Sequence, residues 1–141
     1  MAEPITKTLR EITEVADPIL PGSEAEALLR ELATWSNTTT IIIHGGCVFE
    51  FKGRFPEGSV GEGFYNLHGP VPGFHGHINL ALIDHIAFQE RPHRGRASSA
   101  FTFQDKSASC IFKVFLGRDS HGELIPEQLA AFQRIKESLS E

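Results

Sequence analysis

A chain of 141 residues has room for one domain with a substantial core and not for two comfortable ones. Its 40% hydrophobic and 22% charged content are those of a folded protein rather than a disordered one. A net charge of −5 argues against nucleic acid as a main partner, because neutralising phosphates takes a surplus of Lys and Arg.

From the N-terminus, Thr8 to Val15 predicts two turns of helix, ended by the prolines and glycine of residues 17–22. Ser23 followed by Glu26 has capping-box spacing, and Leu28, Leu29, Leu32 and Trp35 recur at helical period, so a helix is expected over 23–35. Thereafter the period changes to two. Runs at 38–44 and 47–51 are rich in β-branched and aromatic residues, and Gly45-Gly46 between them predicts a tight hairpin. Phe49 and Phe51 fall on one face of the second strand. Residues 53–58 read as a loop, and further strands are expected over 63–67, 74–80, 85–90, 98–103 and 109–116. A closing helix over 125–139 has Pro126 in its first turn and Leu129, Phe132, Ile135 and Leu139 on its buried stripe. The sum is one α+β domain over residues 1–141, with a largely antiparallel sheet between helices at both chain ends.

No apolar stretch approaches membrane-spanning length. Residues 1–6 lack the basic-then-apolar pattern of a secretory signal, so the cytoplasm is the expected compartment. Cys47 and Cys110 are too few for a disulfide framework and too far apart for a CxxC site; they are expected as small buried residues in strands.

Seven histidines carry most of the chemical interest. His68, His75 and His77 lie among glycines, prolines and aromatics, and on a strand His75 and His77 would share a face. Arg91, His93, Arg94 and Arg96 form a compact basic cluster suited to carboxylates. Each has a plain reading too: a strand histidine is commonly a surface residue, His75-Gly76-His77 alone is as readily a loop as a zinc or copper site, and the basic cluster reads equally as a solvated turn. No nucleophile elbow, P-loop or dinucleotide fingerprint is present.

The segments TTIIIH (39–44), VFEFKG (48–53), GEGFYNL (61–67), GHI (76–78), HIA (85–87) and FKVFLGRD (112–119) occur in the order characteristic of the ChuX/HutX haem-utilisation family, which the chain resembles over residues 35–135. The resemblance implies a large curved antiparallel sheet flanked by helices, related to the HemS/ChuS haem proteins, and pairing of two chains into a homodimer. It implies a cytosolic protein that carries or stores imported haem and passes it to a haem-degrading enzyme. Family members are associated with two histidines at the haem site, matched here by His44 and His77; these are the expected iron ligands, with Arg94 and Arg96 expected at the propionates. The chain departs from the family in a shorter N-terminal region, in a shorter turn after His44, and in having His75 as a rival ligand. Two other functions are weighed against this one: an enzyme that alters haem or a linear tetrapyrrole, and a non-haem metal carrier using His75, His77 and His93.

Overall fold

A computed structural model of the chain describes residues 17–92 and 94–139. The helix expected over residues 8–15 lies outside this range. The order of elements is β1 (Ile19–Pro21), a 3-10 turn (Gly22–Glu24), α1 (Ala25–Leu32), β2 (Thr38–His44), β3 (Cys47–Gly53), β4 (Glu57–Gly61), β5 (Phe64–Gly69), β6 (Gly76–Ile78), a second 3-10 turn (Leu80–Leu82), β7 (His85–Glu90), β8 (Ser99–Gln104), β9 (Cys110–Leu116) and α2 (Pro126–Ser138). The strands make two open sheets, one of six in the order β1-β7-β8-β9-β2-β3 and one of three in the order β4-β5-β6. Every pairing within the two sheets is antiparallel.

The β2–β3 hairpin forms as its sequence predicts. His44 pairs with Cys47 across the two-residue turn Gly45-Gly46, whose φ angles of 58° and 81° need residues without a side-chain penalty. Register then carries one face across the large sheet: Thr40 stands beside Phe51 and Val114, Val114 beside Phe101, and Phe103 beside Ile86 and Phe112. This face is the core. The α2 helix presses Phe132 onto it, with ring centroids 5.4 Å from Phe88 and 5.0 Å from Phe101. The α1 helix buries Ala25, Leu28, Leu29 and Leu32. Each buried leucine contributes about 1.5–3 kcal/mol of transfer free energy.

Among the described residues, no helix lies over the opposite face of the large sheet. Ala100 and Thr102 are nonetheless buried there, because Lys113 on β9 reaches across β8 to Gln89 on β7 with Nζ 2.8 Å from Oε1. Further along, Ile43 and Val48 face each other across the β2–β3 ladder with about half their surface exposed.

Several expectations change. The capping box does not form: Ser23 lies in a 3-10 turn, and Glu26 instead accepts from Arg30 at 2.7 Å, one helical turn on. The loop expected over 53–58 shortens because Glu57 already pairs with β5, and the strand expected over 74–80 contracts to three residues. Asn79 ends it by accepting the Ala81 N–H with its side chain, which starts the following 3-10 turn. Cys47 and Cys110 are strand residues as expected, but both are exposed.

Candidate functional site

The two sheets face each other across a cavity of about 400 Å³. Thr40 and Ile42 of β2, Phe51 of β3, and Ile111 and Phe112 of β9 form one wall; Leu67 of β5 and Gly76, His77 and Ile78 of β6 form the other, with Phe55, Phe74, His75, Asn79, Leu82 and Asp105 between them. Phe74 stacks on Phe51 at 4.7 Å and meets Phe55 edge-on at 5.8 Å, so three rings make a continuous apolar surface. Among the described residues, no lysine or arginine lines the cavity. Asp105 is committed to its own turn, accepting the N–H groups of Ser107 and Ser109 at 2.9 Å each. Thr40 contributes a buried hydroxyl with no hydrogen-bond partner among the described residues.

His77 borders the cavity from the edge strand β6, and strand alternation sends its imidazole, with Asn66 and Phe64, to the face opposite that of Tyr65, Leu67 and Ile78. Its register partner is Asn66 of β5, and Nδ1 of His77 lies 2.7 Å from Oδ1 of Asn66. Phe64 meets the imidazole edge-on at 6.2 Å. His75 also lines the cavity but precedes β6, so the two histidines do not share a strand face. His44 is exposed at the tip of the β2–β3 hairpin. Strand alternation puts it on the same face as Thr40 and Ile42, about 7 Å of strand beyond Ile42; it is not among the lining residues. Phe49, exposed, occupies the neighbouring position on that face opposite Ile42.

Arg94 and Arg96 lie in the β7–β8 connection, at the end of those strands remote from Asp105 and the cavity. Arg96 donates from Nη1 to the Gly122 carbonyl at 2.8 Å, and Arg118 donates to the same oxygen at 3.0 Å and to Ala97 at 2.7 Å. The string at 112–119 therefore ends in a structural joint. Gly117 closes it: its N–H donates to Gln128 at 2.7 Å, and a side chain there would collide with the Asn37 backbone. His93 lies outside the described residues. Among the described residues no group of three or more His, Cys, Asp or Glu is placed to hold a metal ion, and no helix is long and apolar enough to cross a membrane.

Three contributors to the site were not singled out in the sequence. Phe55 lies in a segment that reads as a loop, Phe74 opens a run that reads as an ordinary strand, and Asn66 acquires its meaning only from the β5–β6 register.

The family model for haem utilisation ChuX/HutX matches residues 19–135. The chain is 41% identical over 119 residues to the intracellular heme transport protein HutX of Vibrio cholerae serotype O1, a match covering 84% of this chain and 62% of that protein. It thus spans less than two thirds of that relative's length. Among solved structures, the heme binding protein ChuX superposes with a TM-score of 0.78 at 34% identity, over 88% of this chain and 78% of that one. The heme degrading enzyme ChuS of Escherichia coli O157:H7 shares the fold alone, with a TM-score of 0.65 at 17% identity over 82% of this chain and 36% of that one. By sequence and by fold, the chain belongs to the ChuX/HutX haem-utilisation family.

Proposed function

We propose that this protein is an intracellular haem carrier whose cargo enters the cavity between the two sheets. The observation that carries the proposal is the apolar, ring-walled cavity bordered by the edge strand that holds His77. A haem group needs a flat apolar surface and an imidazole nitrogen for iron. The Phe51–Phe74 stack supplies the surface, and His77, whose imidazole lies on the outer face of β6, is the first ligand, reached around the strand's open edge. His44 serves as second ligand or distal partner from the hairpin tip, on the face that continues Thr40 and Ile42. The described residues give the cavity no cationic lining, so propionates belong at its solvent mouth, and any help from Arg94 or Arg96 has to come from outside this cavity.

Carriage rather than chemistry follows from exposure. His44, His75 and His77 are all exposed, and Phe49, Phe64 and Leu82 stand out at 53%, 37% and 62% exposure. An open apolar rim suits loading and release to an acceptor, such as a haem-degrading enzyme, more than sequestration of a reactive intermediate. The uncovered face of the large sheet, with Ile43 and Val48 exposed, is the surface for a second copy of the chain. Titration of the purified protein with hemin should produce a Soret band that saturates at one equivalent per chain and weakens in His77→Ala. Absence of a band at micromolar hemin would sink the proposal.

A further inference from the structure

The string at 61–67 has a use beyond forming β5. Glu62 and Gly63, with φ angles of 53° and 85°, turn β4 into β5 and bring Gly61 and Phe64 opposite each other. Their carbonyls both face the Asn66 side chain: Nδ2 donates to Gly61 at 3.1 Å, with the Phe64 oxygen at 3.5 Å. An amide flipped the other way would aim Oδ1 at those carbonyls, oxygen against oxygen. The hairpin therefore fixes which end of the amide is which, and Oδ1 is the atom that faces His77, 2.7 Å from Nδ1. An oxygen that only accepts requires a nitrogen that donates. Neutral His77 must then carry its proton on Nδ1, leaving the Nε2 lone pair free.

We infer that Asn66 is a positioning residue for the haem site, holding His77 in the Nδ1–H tautomer so that Nε2 is presented to iron. The inference rests on the haem reading for its purpose and on the hydrogen bonds alone for its content. It gives the fingerprint segment a physical reason: turn, amide and imidazole form one relay from the Gly61 carbonyl to Nε2. A metal-bound imidazole whose other nitrogen donates to an oxygen is oriented and more basic, and losing such a partner costs roughly 10–100-fold in metal affinity.

The test begins with the apo protein. Long-range proton–nitrogen correlation spectra of histidine-labelled protein at alkaline pH distinguish the two tautomers, with His77 assigned by its absence in His77→Ala. Wild type should show Nδ1–H. Asn66→Leu should shift the ring toward the Nε2–H form that an unpartnered imidazole favours, and should weaken hemin binding by about tenfold or more. An Nε2–H ring in the wild type overturns the inference without needing any variant to fold. So does a folded Asn66→Leu protein that keeps the Nδ1–H ring, or one that switches tautomer yet binds hemin like wild type. If wild type binds no hemin, the haem reading falls and the purpose given to Asn66 falls with it, while the apo spectra still decide its hold on the ring.

Discussion

Replacing Phe74 by alanine tests the cavity wall from both sides, through folding and through binding. The ring is half-buried, so withdrawing it from the apolar interior forfeits about half of the roughly 1.5–3 kcal/mol assigned to a fully buried phenylalanine. It also loses a stack on Phe51 at 4.7 Å and an edge contact with Phe55 at 5.8 Å. Such pairs are worth about 0.5–1.5 kcal/mol each beyond area, which brings the expected loss to about 2–4.5 kcal/mol. For a domain of this length that corresponds to a fall of about 6–18 °C in Tm. Binding should respond separately. A ring face of roughly 50 Å² removed from contact with a macrocycle is worth about 1 kcal/mol, or about fivefold in Kd. Urea unfolding of the apo protein gives the first quantity. The second follows from quenching of Trp35, the chain's one tryptophan, during hemin titration. A variant that loses stability as expected but binds hemin with unchanged affinity would show that the macrocycle does not lie on this wall.

Four further outcomes are expected. Tyr65 is fully buried, and burial pushes its phenol above the ordinary tyrosine pKa while the Arg30 guanidinium pulls the other way. The folded state thus holds this proton more tightly than the unfolded chain. Stability should be intact below pH ~10 and decline as pH rises through the raised value, a loss that Tyr65→Phe removes in Tm measurements across that range. As the single tyrosine, Tyr65 can also be followed directly by tyrosinate absorbance. Thr40→Val deletes a buried hydroxyl without a partner among the described residues, so urea unfolding should show a gain of about 1 kcal/mol. Gly46→Val places a β-branched residue at φ 81° with nothing nearby to clash, so its cost, about 1–2 kcal/mol in the same assay, comes from backbone strain alone. Ile43→Asp on the uncovered sheet face should lower the sedimentation mass to that of one chain and leave the hemin Soret band in place.

How much of this was legible in the sequence depended on period and punctuation. The β2–β3 hairpin and β7 combine alternation with clear turn residues, and α2 has proline at its start and a clean apolar stripe, so their extents match expectation closely. Strands β1 and β4 were missed because Ile19–Pro21 and Glu57–Gly61 are short and rich in proline or glycine; partners across the sheets, not their own propensities, make them strands. Period also misled: His75 and His77 alternate in sequence, yet the strand begins only at Gly76. The basic cluster illustrates a different limit. Composition cannot tell an arginine free for a ligand from one such as Arg96, whose guanidinium braces the loop at Gly122. Asn66 shows the same limit in reverse, since an ordinary strand asparagine becomes a partner of His77 only through register.

The most direct test is a crystal structure of the protein with hemin bound. The macrocycle is expected against Phe51 and Phe74 at the open edge of β6, with iron bonded to Nε2 of His77 while Nδ1 keeps its contact with Asn66. Hemin seated on the uncovered face of the large sheet, or iron ligated by His75 with His77 turned away, would contradict this expectation.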